Sequence, residues 1–316
     1  MNCKICNIKI IEQDLEINLK HHKPKYLCHE CVIRQDRNRR NIDYNNLENI
    51  PAQPFIKWAG GKRNLLDKLQ KNIINDYDNY YEPFIGGGAL FFKINTENGY
   101  ISDINTDLIT TYNVVKYFPL DLIKALKNHS ENHTKEYYYL IRSQHNLTDI
   151  VEIAARFIYL NKTCFNGLYR VNKSGKFNVP IGSYKNPNIV QEQNILACSK
   201  ALQKTDIKNI NFYDINPKSG DLVYFDPPYD PINDTSFTTY TKDDFKRNEQ
   251  IKLRDFALKL YENGVYVIIS NSNTEFIRDI YSSYIFNINI INAPRNISCK
   301  SRKSVEEVII TMRLKE

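Results

Sequence analysis

The stretch Val223-Tyr224-Phe225-Asp226-Pro227-Pro228-Tyr229, VYFDPPY, decides how the rest of the chain is read. Three strand formers deliver Asp226 to the carboxyl end of a short apolar strand. Pro227 and Pro228 have fixed φ and no N–H to donate, so the strand stops there. Their carbonyls still accept hydrogen bonds. The turn therefore holds a carboxylate, an outward carbonyl and the Tyr229 ring close together. That trio suits an exocyclic amine on a planar base: the two acceptors take its N–H hydrogens and the ring stacks on its face. The same letters also spell an ordinary strand-ending turn with a packing tyrosine, so the flanking sequence has to decide.

Upstream, Tyr80–Phe92 reads YYEPFIGGGALFF. An extended start runs through Phe84 into Gly86-Gly87-Gly88 and then into an apolar helical pattern. Three glycines at a strand-to-helix turn let a ligand lie against bare backbone, although a glycine-rich turn alone is more often only a turn. The next strand, Tyr100-Ile101-Ser102, ends in Asp103. In nucleotide-binding α/β folds an acid at the end of the second strand grips ribose hydroxyls, so this half is expected to take an adenosine-containing cofactor. Further upstream, FIKWAGGK (Phe55–Lys62) precedes the helical pattern Leu65, Leu66, Leu69, Ile73. Its backbone N–H groups and Lys62 suit an anionic group, but the Walker spacing is absent.

Thr106–Asn128, Glu136–Arg142 and Val151–Leu160 carry helical patterns. Asn161–Tyr184, NKTCFNGLYRVNKSGKFNVPIGSY, is too polar for a core and too long for an ordinary connection, as binding loops are. Arg170 there suits a guanine edge or a phosphate. Past Tyr229, the polar run Asp230–Thr241 reads as a lid. Phe245–Glu262 reads as an amphipathic helix, Val265–Ser270 as a buried strand ending at Asn271-Ser272, and Phe276–Tyr284 as a helix. Ile285–Ile291 and Val305–Met312 read as a terminal hairpin joined by a basic loop.

The first 50 residues differ in kind. Cys3-x-x-Cys6 and Cys28-x-x-Cys31 have the pairing of a four-thiolate zinc site, in which the metal replaces a core too small to fold by itself. Arg34, Arg37, Arg39 and Arg40 follow, a run fit to touch nucleic acid or to lie solvated in a linker. The polar stretch 41–53 is expected to be that linker. The chain has 316 residues, 42% hydrophobic, with a formal net charge of +7. The charge fits a polyanion partner without requiring one. No apolar run spans a membrane and the N-terminus has no apolar signal region, so a cytoplasmic protein with reduced or metal-bound thiols is expected, nucleoid-associated in a bacterium.

Taken in order, KWAGGK, EPFIGGGALFF, DIN, FNGLYRVN…FNVPIG and DPPY closely resemble the Dam-type DNA adenine-N6 methyltransferases, especially the GATC-methylating members, including those paired with restriction enzymes. The resemblance covers about residues 53–316; the zinc-ribbon-like segment departs from it. It implies the class I S-adenosylmethionine (SAM) α/β fold: a doubly wound, mostly parallel seven-stranded sheet with a helical and loop DNA-recognition insertion, here preceded by the small four-cysteine module. It places cofactor contacts at Trp58, Lys62, Phe84, Gly86, Gly87, Gly88, Asp103 and Asp226. Its catalytic positions match Asp226, Pro227, Pro228 and Tyr229. Its DNA-reading positions match Lys57, Phe165, Asn166, Leu168, Arg170, Pro180 and Tyr184.

The expected organisation is a zinc module at 1–50, a SAM-binding part at 51–105, a target-recognition insertion at 106–200 and a catalytic part at 201–316. The resemblance implies methylation of adenine N6 in duplex DNA, within GATC, on a base rotated out of the stack. The implied partners are duplex DNA and a restriction endonuclease acting on the same site. Three other readings stand beside it: a cytosine-N4 methyltransferase, which commonly carries Ser in place of Asp226; methylation of RNA adenine; and a non-catalytic DNA-binding regulator with a vestigial SAM fold.

Overall fold

The computed structural model describes Cys3, Ile5, 29–44, Leu47, 50–58, Gly60, 65–231, 245–294 and 304–312. In chain order the elements are α1 (His29–Arg40), α2 (Leu66–Gln70), β1 (Tyr80–Glu82), α3 (Ala89–Ile94), β2 (Gly99–Ser102), α4 (Thr106–Tyr117) and α5 (Pro119–Glu131). Then come α6 (Lys135–Ser143), α7 (Ile150–Thr163), α8 (Glu192–Leu202), β3 (Thr205–Lys208), β4 (Leu222–Phe225), α9 (Arg247–Glu262), β5 (Tyr266–Ser272), α10 (Glu275–Ile280), β6 (Phe286–Pro294) and β7 (Ser304–Met312). They fall into two compact units. One comprises 1–57, 106–167 and 181–203; the other comprises 58–105, 168–180 and 204–316.

The first unit is helical. α4 is buried on nearly every side, from Leu108 and Ile109 through Tyr112, Val114 and Val115, with Thr111, Asn113 and Lys116 also buried. The pattern over 106–128 reads as one helix, yet it is two. Pro119 has no N–H for an intrahelical bond, so it starts α5 at the first-turn position where none is needed. Asp149 caps α7, accepting from Val151 N and Glu152 N at 2.8 and 3.2 Å. Partial burial pushes its carboxyl up, but the Arg34 guanidinium and those two N–H groups outweigh that and hold it below the ordinary carboxylate range. α1 is a helix that docks on this unit. Arg34 pairs with Asp149 at 2.6 Å, and Arg37 pairs with Asp121, in the first turn of α5. Asn38, buried between them, accepts from Leu120 N and donates to Asp121. Two arginines of the run are thereby committed to internal carboxylates at helix starts.

The second unit carries the sheet, in the order β3-β2-β1-β4-β5-β7-β6. Neighbours from β3 through β5 are parallel, and β7 runs antiparallel between β5 and β6. The full burial of β4 and the near-full burial of β5 explain the apolar runs Leu222–Phe225 and Tyr266–Ile269. Val223, Phe225, Val267 and Ile269 pack with Leu253, Ala257 and Leu260 of α9, and with Val308 and Ile310 of β7. The expected α/β architecture and terminal hairpin are present.

Order and direction together define the crevice. From β1 the chain winds outward through β2 and β3, then returns to the other side of β1 for β4 and β5. The strand order therefore reverses between β1 and β4, and an open α/β sheet binds its ligand outside the carboxyl ends at such a point.

Candidate active site

The glycine turn leaves the carboxyl end of β1, and Asp226 follows directly on β4, its parallel neighbour. Gly86 has φ +45, and Ile85 N bonds to Ser102 O at 3.1 Å, tying the turn to β2. The Trp58 indole lies against Gly86: a Cβ there would sit 2.6 Å from Trp58 Cδ1 and 2.8 Å from Nε1. Tyr169 stacks on that indole, with ring centroids 5.5 Å apart and 22° between planes. Phe84 is enclosed by rings, including Phe212 at 5.3 Å and Phe245 at 5.6 Å. It is partly buried and packs against the core beneath the turn.

Asp103 follows β2. Its Oδ1 accepts from Asn105 N at 3.0 Å and its Oδ2 from Gly86 N at 3.3 Å. Desolvation raises its carboxyl to about 6, against the backbone donors of Asn105, Gly86 and Ile104, which lower it. One bond thus couples the acid to the glycine turn.

The turn after β4 is tied from two elements. Pro228 O accepts from Gln250 Nε2 of α9 at 2.8 Å, and Asp230 N donates to Asn271 Oδ1 of β5 at 3.1 Å. Asn271 Nδ2 donates to Gln250 Oε1 at 3.0 Å, and Thr274 Oγ1 donates to Asp230 Oδ2 at 2.7 Å. Half-buried Tyr229 donates its hydroxyl to Glu307 Oε2 of β7 at 3.1 Å. Desolvation, then the Asp226 and Glu307 carboxylates, hold that phenol well above its usual range, so its ring stays neutral. Pro227 is buried, and Asp226 is half-buried beside it.

A family model for the D12 class N6 adenine-specific DNA methyltransferases matches residues 58–297. The chain belongs to this family. It is 42% identical over 275 residues to the type II methyltransferase M1.LlaDCHI of Lactococcus lactis subsp. cremoris, covering 83% of this chain and 96% of that protein. It is 43% identical over 278 residues to the type II methyltransferase M.MjaIII of Methanocaldococcus jannaschii, covering 80% and 96%. A DNA adenine methylase of Vibrio cholerae is 36% identical over 263 residues, covering 81% and 94%.

D12 methyltransferases take their methyl group from SAM, and the residues present fit that donor. The glycine turn offers backbone without side chains, Trp58 packs its indole on Gly86 so closely that a Cβ there would strike the ring, and Asp103 is an acid at the end of the second strand. Gly87 and Gly88 continue the turn, and Gly88 is left-handed at φ +67. Lys62 lies outside the described residues.

The positions expected to read DNA divide between the two units of this D12 methyltransferase. In the helical unit, Asn161 clamps the Lys57 backbone: Lys57 N donates to Asn161 Oδ1 at 2.8 Å and Asn161 Nδ2 donates to Lys57 O at 2.7 Å. Gly167, at φ +64, lies under the Lys57 stem, where any Cβ would collide. Lys57 Nζ donates to Tyr184 OH at 3.0 Å. Phe165 is 45% exposed and Asn166 sits at φ +56, so ring and amide are both presented to solvent. In the sheet unit, 170–178 forms a short finger bridged at Val171 and Phe177. Asn172 Oδ1 ties its tip by accepting from Ser174 N and Lys176 N. Exposed Arg170 donates from Nε to Asn178 Oδ1 at 2.7 Å. Leu168 is half-buried at the base of this segment, and Pro180 is exposed at its end.

Sequence reasoning missed Asn161, Tyr169, Gln250 and Asn271. Asn271 carried a signal, because an amide closing the apolar run VYVIIS has to find buried partners. Gln250 carried none that an amphipathic helix would not also show. Of the expected lid, Asp230–Thr241, residues 232–241 lie outside the described residues, as does the basic hairpin loop at 295–303. Among the described residues no helix is long and apolar enough to cross a membrane.

Proposed function

We propose that the protein methylates N6 of an adenine flipped out of duplex DNA, within the sequence GATC. The observation that carries the site assignment is the emergence of the glycine turn and the Asp226 turn from adjacent strands at the reversal of strand order. A duplex stack hides N6, so the base must leave it. The neutral Tyr229 ring gives the extruded base a stacking face. Asp226 and the Pro227 carbonyl accept the two N6 hydrogens, which fixes the direction of the nitrogen lone pair. Bound SAM supplies an electrophilic methyl group. Trp58, the glycine turn and Asp103 hold the donor, Asp103 through ribose hydroxyls, with Lys62 adding positive charge. Positioning and electrostatics carry the rate, and no side chain has to form a covalent bond.

Recognition is assigned to Lys57, Phe165, Asn166, Leu168, Arg170, Pro180 and Tyr184, with Arg170 reading a guanine edge. The ordered presentation of Lys57 and Arg170, each held by an asparagine, supports that reading. The test is transfer of a labelled methyl group from SAM to a GATC duplex and to one in which unsubstituted purine, lacking the exocyclic amine, replaces the adenine. Label confined to the first is expected. Equal label in both would end the N6 assignment, and label in scrambled adenine-containing duplexes would end the GATC assignment.

Cys3, Cys6, Cys28 and Cys31 are proposed to hold one structural zinc. Cys3 and Cys31 are 2% and 3% exposed, as structural thiolates are; Cys6 and Cys28 lie outside the described residues. Elemental analysis should find about one zinc per chain, and its absence from freshly purified protein would refute the assignment. A restriction endonuclease cutting the same site is the proposed biological partner, in keeping with the type II names of two relatives.

A further inference from the structure

The turn at Asp226 has an unusual need. Two consecutive prolines remove the N–H groups by which a turn normally ties itself down. Its anchoring has to come from its carbonyls and from whatever donors and acceptors the neighbouring elements bring. Gln250 and Asn271 are 1% and 0% exposed, and Asp230 is 3% exposed. Buried amides in this position are costly unless every polar atom is matched.

Their orientation follows from the backbone alone. Asp230 N and Ser272 N are donors, and both reach the same atom of Asn271, at 3.1 and 2.9 Å. That atom must be the carbonyl oxygen Oδ1. The other end, Nδ2, is then a donor, so Gln250 presents Oε1 to it at 3.0 Å. Gln250 Nε2 is left facing Pro228 O, a pure acceptor, at 2.8 Å. The chain of bonds runs one way from β5 through α9 to the second proline. Asp230, on the far side of Tyr229, is held by Thr274 and Arg247 through its side chain, and Ser272 Oγ donates to its carbonyl.

We infer that Gln250, oriented by Asn271, is a positioning residue for methyl transfer: it holds the Pro228 carbonyl inward so that the Pro227 carbonyl and Asp226 keep one geometry toward the reacting amine. Nothing in this assigns Gln250 contact with substrate. The inference rests on the proposed roles of Asp226 and Pro227, and the experiment separates the two.

Gln250→Leu removes both amide functions at similar length. The folded variant, checked by thermal melting, should lose about a hundredfold in kcat, the scale of an ångström-sized misplacement of reacting groups. KM for duplex DNA and Kd for SAM should stay within about threefold, since neither binding surface is altered. A destabilised fold alone would not split kcat from KM in this way. Gln250→Glu is the second variant, for the case in which leucine fails to fold. Ionised, the glutamate cannot donate to Pro228 O; protonated, it regains one donor. Asp226 and Asp230 of the turn, Glu307 of β7, and Arg247 and Glu249 of its own helix also carry charge nearby, so the readout is the ratio of variant to wild-type kcat at saturating SAM. That ratio should rise as pH falls from about 8 to about 6. Wild-type kcat in folded Gln250→Leu, or a pH-independent ratio near one in Gln250→Glu, would overturn the inference. Asp226→Ala, run alongside, should be slower by roughly a hundredfold to a thousandfold or more. A rate near wild type there would refute the assigned roles themselves, whatever Gln250 shows.

Discussion

The Asp226 turn and the 170–178 finger belong to the same unit, and they are held in opposite ways. The turn is anchored from outside by α9, β5 and the N-cap of α10, through buried Gln250, Asn271 and Ser272 and half-buried Thr274. The finger ties itself, with Asn172 bonding its own tip and Asn178 bonding Arg170, and most of it is exposed. A site that must present two acceptors to one small amine gains from a surround that permits one arrangement. A segment that must meet a long polyanion gains from carrying its own order into solvent. Substitutions at the turn and its neighbours are therefore expected to change the rate of chemistry, and substitutions in the finger to change which sequence is chosen.

The largest effect that sharpens this contrast is expected at Gly86. Gly86→Ala places a Cβ 2.6 Å from Trp58 Cδ1 on a backbone at φ +45. Strain and overpacking together should weaken SAM binding by roughly 2–4 kcal/mol. Isothermal titration would measure it, with discrimination among DNA sequences unaffected. Next in size is Arg170→Ala, which should reduce preference for the guanine of GATC by roughly 1–3 kcal/mol. Competition between cognate and single-substituted duplexes measures it. A fall in kcat at saturating DNA with unchanged preference would break the division drawn above.

A smaller effect concerns Asp103. Its carboxyl, raised to about 6, is partly protonated in mildly acidic solution. Ribose hydroxyls favour the ionised form, so SAM affinity should be flat above about pH 7 and fall by up to about tenfold per unit below about 6. Asp103→Asn should bind more weakly and lose that dependence. Linkage has a matching sign in the free protein. A folded-state carboxyl above its unfolded value binds protons more readily when folded, so this group's contribution to stability declines as pH rises from about 4 to about 6. The smallest effect is expected at the other unit. Asp149→Ala removes the α7 cap and the partner of Arg34, and should cost about 1 kcal/mol in denaturant unfolding. Its carboxyl is held below the ordinary range, so that contribution is present above about pH 4 and is lost as pH falls through the folded value. Methylation kinetics should be unchanged.

The legible parts of the fold were those where one local rule acts without competition. The apolar strand ending in Asp226-Pro227-Pro228, the run into Asn271 and the terminal hairpin follow from burial and from proline's missing donor. The split between α4 and α5 was written in Pro119, but the continuous apolar period across 106–128 masked it. Arg34 and Arg37 read as surface charge because their partners, Asp149 and Asp121, lie far off in sequence. The candidate site shows the same limit. Asp103, Gly86 and Asp226 stand out because each sits at a strand end with a chemical signature. Gln250 acts through one hydrogen bond, and Asn161 through two, to distant backbone atoms, and no spacing in the sequence records bonds of that kind.

The most direct test of the account is single-turnover methyl transfer to a GATC duplex by wild-type protein and by Asp226→Ala, each shown to be folded and to bind SAM and DNA. Wild-type protein should label N6 of the adenine, and the variant should be slower by roughly a hundredfold to a thousandfold or more with binding retained, as expected when an acceptor aimed at the reacting group is removed. Transfer by the variant at a rate near wild type would contradict the assignment of chemistry to the Asp226 turn.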